Sequence, residues 1–368
     1  MDHGVGHASP VFARLLVLSL AFLILIYVVP FSGPSDLHST MVEASKKMAA
    51  AARALRECRA GRGLAMDPET DINRTGLIGL EFSPITTSLG QLEAKRTTTN
   101  PNAAGLIVLL LHEAGVRRGD TIAVGASGSF PALIVATLCA AAAMDVDALL
   151  LPSLGASQWG ANHPEFHWLI MQDCLAEQGL VSGEPAAVSL GGDSDVGANM
   201  APAGRALLES AMEASGLTVI REPDLEKNVA LRTRLFEEAG GGKAIRAFVN
   251  IGGTYANIGT DSLILEVKPG VTRIRSFPPP ERRGMIFATA ARGIPVIHLL
   301  YIRGLAAEYG LPWDPQPLPS PGQGTLYRRV REQSLAFILM GLVYLAAVGS
   351  VLLIDSRRRK RRFAMGSL

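Results

Sequence analysis

The chain has 368 residues, a formal net charge of +2 and three cysteines. The tail 355–368 holds six cations against Asp355, and residues 1–31 are neutral, so the long middle of the chain carries about −3. A mixed, mildly negative body argues against a nucleic-acid binder with a broad basic face, and Cys58, Cys139 and Cys174 are too sparse for a disulfide framework and lack metal-ligand spacing.

Two apolar segments without a charged side chain, 15–31 and 335–354, bracket the chain. The second is 20 residues long, and at 1.5 Å of rise per residue it spans about 30 Å, the hydrocarbon thickness of a bilayer. Arg357, Arg358, Arg359, Lys360, Arg361 and Arg362 follow it directly and outnumber Arg328, Arg329 and Arg331 on its other flank, which places the tail in the cytoplasm. Two crossings then put both termini inside and the body on the outer face of the plasma membrane. The first segment also reads as a signal peptide. Its 17 residues exceed a usual hydrophobic region, and PFSGPSDLHS lacks a small-x-small cleavage site, so an uncleaved anchor is expected. Cleavage would leave the body outside with one anchor.

After the first anchor, 36–60 is rich in Ala, Met, Leu, Glu, Lys and Arg and predicts a helix, either a stalk or an element packed on the domain edge. Residues 61–100 are irregular. From residue 100 the chain alternates. Asn100-Pro101 opens a helix over GLIVLLLHEAG, TIAVGA is a buried strand and FPALIVATLCAAAAM an apolar helix in which Cys139 is a small buried hydrophobe. DALLLPS, AAVSLGG, LTVI, IRAFVNIGG and IPVIHLL are further strands, with helices at PEFHWLIMQDCLAEQGL, APAGRALLESAMEASG, EPDLEKNVALRTRLFEEAGGG, MIFATAARG and IRGLAAEYG. Short apolar strands alternating with helices predict an α/β fold, a doubly wound, mostly parallel sheet with Rossmann-like layering. PWDPQPLPSPGQG is a Pro-rich connector. The expected organisation is a cytoplasmic N-terminus (1–14), a membrane helix (15–31), a helical stalk and irregular segment (32–99), an extracytoplasmic α/β domain (100–311), the connector (312–334), a second membrane helix (335–354) and a basic tail (355–368).

In open α/β sheets the ligand crevice lies beyond the carboxyl ends of the strands, and four strand ends carry unusual loops. In GASGSF, Gly125 and Gly128 let the backbone approach a ligand, while Ser127 and Ser129 stand beside the free N–H groups of a helix N-terminus, an anion site. A capped tight turn explains Ser129 alone. A sharper reading makes Ser127 a nucleophile. Gly125–Ser129 matches four positions of the nucleophile-elbow pattern and ends in Ser, and Asp193 or Asp195 and His298 follow in the order a hydrolase triad needs. The loop PSLGASQWGANHPEFHW offers Trp159, Asn162 and His163, with Pro164 expected to start a helix capped by His163. His163 and His167 then lack both stacking and a third metal ligand. SLGGDSDVGANM sets Gly191, Gly192 and Gly197 around Asp193 and Asp195, carboxylates that suit Mg²⁺ or Ca²⁺ but equally suit turns and caps. VNIGGTYANIGT places Gly252 and Gly253 at a strand end, then Thr254 and Asn257, without the Lys of a Walker motif. Four such loops at one sheet edge make a binding crevice the working expectation, with His298 and Arg303 either lining it or simply packing. No metal site is expected, and no cofactor is indicated.

The strings GDTIAVGASGSFPAL, LPSLGASQWGANHPEF, SLGGDSDVG, VNIGGTYANIG and GIPVIHLLYIRGLAAEYGLP together resemble the poly-gamma-glutamate system protein family over nearly the whole chain, anchors included. Thr254 stands where a third glycine is expected from that pattern. The resemblance implies a bacterial cell-envelope role beside the ligase and membrane proteins that make and export poly-γ-glutamate, and it implies no catalytic residues. It suggests an accessory protein that holds, guides or trims the anionic polymer. The alternatives are a γ-glutamyl hydrolase or transferase using Ser127 and a scaffold for the synthase.

Overall fold

A computed structural model describes residues 10–28, 32–34, 36–181, 185–328, 331–333 and 335–365. The ends of the expected first span (29–31), of the connector (329–330 and 334), of the N-terminus (1–9) and of the tail (366–368) lie outside the described residues. The chain divides into two compact units, one of residues 36–329 and one made of the two flanking segments.

The flanking unit contains α1 (Pro10–Val28) and β1 (Ser32–Pro34) from the start of the chain. The body begins with α2 (Asp36–Gly61), α3 (Leu92–Thr98) and α4 (Asn102–Glu113), and continues with β2 (Thr121–Ser127), α5 (Pro131–Met144), β3 (Asp147–Ser153), α6 (Trp168–Glu177) and β4 (Val188–Ser189). Then come α7 (Pro202–Ala214), β5 (Val219–Ile220), α8 (Leu225–Ala239), β6 (Ile245–Ile251), α9 (Tyr255–Ile258), β7 (Gly270–Thr272), α10 (Met285–Ala291), β8 (Val296–Leu299), α11 (Ile302–Tyr309) and α12 (Thr325–Arg328). The flanking unit is completed by β9 (Arg331–Gln333) and α13 (Leu335–Met365).

The body is an α/β fold whose seven strands run in the order β5-β4-β3-β2-β6-β8-β7. All neighbours are parallel except β7, which lies antiparallel on β8. The chain winds outward from β2 through β3, β4 and β5, then restarts on the other side with β6 and β8. The order therefore reverses between β2 and β6, and their carboxyl ends form the topological switch point, where open sheets bind ligands. Every residue of β2 is buried, and α5 is buried along most of its length, as expected of a central strand and a helix covered on all sides.

The helix 36–61 does not stand off as a stalk. Met41, Ala44, Ser45, Met48, Ala51 and Leu55 follow helical spacing along one face and are buried against α4 and α5, whose own outer faces are apolar for that reason. The body thus begins at residue 36 rather than 100. Cys58 and Cys174, too sparse with Cys139 to make a disulfide framework, nonetheless form a single disulfide that ties α2 to α6, while Cys139 is free and buried. The Pro-rich connector is also fastened to the body. Arg96 makes a bidentate pair with Asp314, Asn73 Nδ2 donates to the Pro315 carbonyl at 2.9 Å, and Asn102 Nδ2 donates to the carbonyls of Ser320 and Gln323.

In the flanking unit, α1 and α13 pack together. The rings of Phe22 and Tyr344 stack with centroids 4.2 Å apart, and the hydroxyls of Ser19 and Tyr344 are 2.8 Å apart. Next to them β1 and β9 pair antiparallel, with Ser32 opposite Gln333. Among the described residues, one helical stretch, Leu339–Arg358, with a mean hydropathy of 1.9, is long and apolar enough to cross a bilayer. The apolar run described in α1, Val11–Leu25, is shorter than that, so one candidate span stands where two were expected.

Candidate functional site at the switch point

The loop after β2 and the loop after β6 meet. Gly252 adopts φ +79, the left-handed region that favours glycine, and a Cβ there would lie 3.0 Å from Ser127 Cβ and 3.7 Å from its Oγ. Glycine is required twice over, by conformation and by contact. Behind this rim, Gly125, Asn250 and His298 stand side by side in register across β2, β6 and β8. A Cβ on Gly125 would fall 2.7 Å from Asn257 Oδ1 and 2.8 Å from its Nδ2, so the Asn257 amide occupies the space that the missing side chain leaves.

These buried polar groups are incompletely satisfied. Asn250 Nδ2 lies 2.9 Å from His298 Nδ1 and donates to the Gly252 carbonyl at 2.8 Å, yet its Oδ1 has no partner. Thr254 Oγ1 and both polar atoms of Asn257 also lack partners. Native interiors pair nearly all such atoms, and each orphan costs about 1–3 kcal/mol. Four such atoms fall within residues 250–257, at the switch point. Gly253 is exposed and Ser129 half-buried, so the site borders solvent.

The hydroxyls of the first loop are engaged with each other. Ser127 Oγ donates to Ser129 Oγ at 2.9 Å and accepts from the Ser129 N–H at 3.1 Å, while Ser129 Oγ also accepts from the Ser157 N–H at 2.9 Å. Gly128 N donates to the Ser153 carbonyl, which clamps this loop to the end of β3.

The expected triad is not assembled. His298 is in register with Asn250 and through it with Gly125, two residues short of Ser127. Two strand spacings of about 4.8 Å and two rises of about 3.3 Å separate the backbones by about 12 Å. Burial holds His298 neutral by pushing its pKa down to about 4. Asp193 is exposed, and its backbone N–H donates to Asn199 Oδ1 at 3.0 Å.

The other two loops are structural. Asn162, fully buried, holds the segment 80–86. Its Nδ2 donates to the Leu80 carbonyl and Thr86 Oγ1, and its Oδ1 accepts from the Leu80 N–H. The helix after this loop begins at Trp168, four residues later than expected, because His163–Phe166 closes a turn around Pro164. Gly191 and Gly192 adopt φ +72 and +68 and steer the chain so that Asp195 turns inward. There Arg232 Nη2 lies 2.6 Å from Asp195 Oδ2, Ser189 Oγ donates to Oδ1 at 2.8 Å, and Asn228 Nδ2 donates to Oδ2 at 3.0 Å. An inward Asp195 and an outward Asp193 do not share an ion. Among the described residues no three His, Cys, Asp or Glu side chains gather as a metal-holding group.

Lys95 is the residue that sequence reasoning missed. It comes from the short helix α3, is 3% exposed, and its Nζ donates to Ser157 Oγ at 2.7 Å and to the Ser129 carbonyl. The ammonium also sits 3.8 Å from the centre of the Phe130 ring. Nothing in the string LEAKRTTT distinguishes this lysine from a surface residue. Asn250, by contrast, left a signal, as a polar residue inside an apolar strand. Two cavities, of about 560 and 530 Å³, lie away from the strand ends, beside α6, and share His167, Ile170 and Ala211.

No family model, curated protein or solved structure matches the chain.

Proposed function

We propose that the protein is a membrane-anchored accessory component of poly-γ-glutamate biosynthesis or export that binds the anionic polymer at the switch point, on the outer face of the cell membrane. The observation that carries this reading is the set of orphaned polar atoms on Asn250, Thr254 and Asn257 at the glycine-lined rim. A γ-linked polyglutamate offers matching groups in each repeat. Its carboxylate and amide carbonyl accept from the Asn257 Nδ2 donor, and its amide N–H donates to Asn257 or Asn250 Oδ1. At the rim the exposed Gly253 admits a chain close to the backbone, and the half-buried Ser129 adds a hydroxyl beside it.

Three features support the outer placement. The Cys58–Cys174 disulfide suits an oxidising compartment. The contacts of α1 with α13, through Ser19, Phe22 and Tyr344, suit a two-helix anchor in which polar groups join across apolar surfaces. Pairing of β1 with β9 brings the chain out of the first helix and into the last at a common end, as two crossings with both termini in the cytoplasm require. Synthase subunits are the expected neighbours in the membrane, and a scaffolding role alone is the rival reading.

The test is polymer output in cells. Asn257→Leu removes both orphaned amide atoms at similar volume. A changed amount or length of extracellular polymer, with the variant present at wild-type level, is the expected result. Unchanged polymer would refute the binding role and leave the scaffold.

A further inference from the structure

We propose that Ser157 and Lys95 form a serine–lysine acyl-transfer centre at the carboxyl ends of β2 and β3, with Ser157 as nucleophile, Lys95 as its base and an amide or ester carbonyl as substrate. The proposal does not depend on the polymer reading. It relocates the nucleophile from Ser127, whose hydroxyl is engaged with Ser129.

Three segments far apart in sequence converge here: α3 brings Lys95, the loop after β2 brings Ser129, and the loop after β3 brings Ser157. The contact between Lys95 Nζ and Ser157 Oγ, at 2.7 Å, is within proton-transfer reach. No carboxylate pairs with Lys95 among the described residues, and its neighbours are a hydroxyl, a carbonyl and an aromatic face. A buried ammionium kept only as a clamp would be better served by an acid. Loss of water lowers the Lys95 pKa to about 7, so a large share of it is free amine near neutrality. Two residues beyond Ser157, Trp159 takes φ +63, a conformation that a bulky side chain rarely adopts and that concentrates at functional sites. Its carbonyl and N–H are tied to Gly79 and Leu80, which fixes the loop carrying Ser157.

The reaction proceeds in two balanced halves. Ser157 Oγ attacks the carbonyl carbon while its proton passes to the neutral Lys95 amine. The tetrahedral adduct collapses, the bond to the leaving nitrogen or oxygen breaks, and Lys95 returns the proton to the leaving group. Water then attacks the acyl-Ser157 ester, gives a proton to Lys95, and the ester bond breaks as Ser157 Oγ regains that proton. Amide plus water becomes acid plus amine. An amine in place of water makes the second half a transfer.

The experiment labels the full-length protein in detergent with a fluorophosphonate, which loses fluoride to an activated serine, and maps the adduct by mass spectrometry. The expected result is one modified residue, Ser157, with labelling abolished by Ser157→Ala. Lys95→Arg keeps a cation for the carbonyl and the ring but supplies no base, so it should slow labelling at least 100-fold at an unchanged melting temperature. An unlabelled wild-type protein, an adduct on Ser127 or Ser129, or undiminished labelling of a folded Lys95→Arg variant would overturn the proposal. Should Lys95→Arg fail to fold, the site of the wild-type adduct decides the question.

Discussion

The amide of Asn257 fills the place where a side chain on Gly125 would stand, with Oδ1 only 2.7 Å from the Cβ that glycine lacks. One residue in the central strand thus sets the position of another in the loop after β6, across the switch point. Gly125→Ala would force the amide out and press on Phe248 Cζ, 2.9 Å from the same Cβ. A loss of about 1–3 kcal/mol is expected, read as a lowered melting temperature. An unchanged melt would show that Asn257 moves freely.

Asp195 and Arg232, both 1% exposed, form a buried pair completed by Ser189 and Asn228. Removing one partner strands a charge. Arg232→Met should cost about 3–5 kcal/mol, whereas Asp195→Leu combined with Arg232→Met should cost less than the single change. Thermal melts of both variants check the order, and a double variant no better than the single one would contradict it.

Acid should destabilise the body in a defined window. His167 and His298 are both held near pKa 4 by burial, below the ordinary 6.5. Between those values the unfolded chain binds more protons than the folded one, so stability falls as pH drops from 6.5 toward 4 and is level above 6.5. Lys95 acts in a higher window. Its folded value of about 7 lies below the ordinary 10.5, so stability rises with pH between them. Melting temperature against pH should show both limbs. His298→Asn should flatten the acid limb and Lys95→Met the alkaline one.

The disulfide closes a separation of 116 residues between α2 and α6. Replacing Cys58 and Cys174 by serine should lower stability by about 2–4 kcal/mol. Reductant should reproduce the shift in the wild-type protein and leave the double variant unaffected, as a calorimetric comparison would reveal.

The strands β2 to β6 and β8 were legible because each is an apolar run between turn residues. The edge strand β7 was not, since VKPGVTRIRSF has no such run and its pairing with β8 supplies the order. The helix 36–61 was legible, and packing on the domain edge was one of its two expected placements, but its partners on α4 and α5 were not readable because they lie some sixty residues and more downstream. At the site, the glycines at 125 and 252 were readable from their place after strands. Their neighbours were not. Lys95 reaches Ser157 across 62 positions, and Asp195 meets Arg232 across 37. The Asp193–Asp195 spacing suggested a shared role that a left-handed turn at Asp195, φ +61, undoes by sending the two carboxylates apart.

Binding of a polycarboxylate at the switch point is open to direct titration. Fluorescently labelled poly-γ-glutamate would be titrated against the full-length protein in nanodiscs of neutral lipid, with fluorescence anisotropy as the signal, for the wild type and for Asn257→Leu. Saturable binding that Asn257→Leu weakens about tenfold or more is expected, corresponding to the loss of about 1.4 kcal/mol. No binding by the wild type, or equal binding by both, would contradict it.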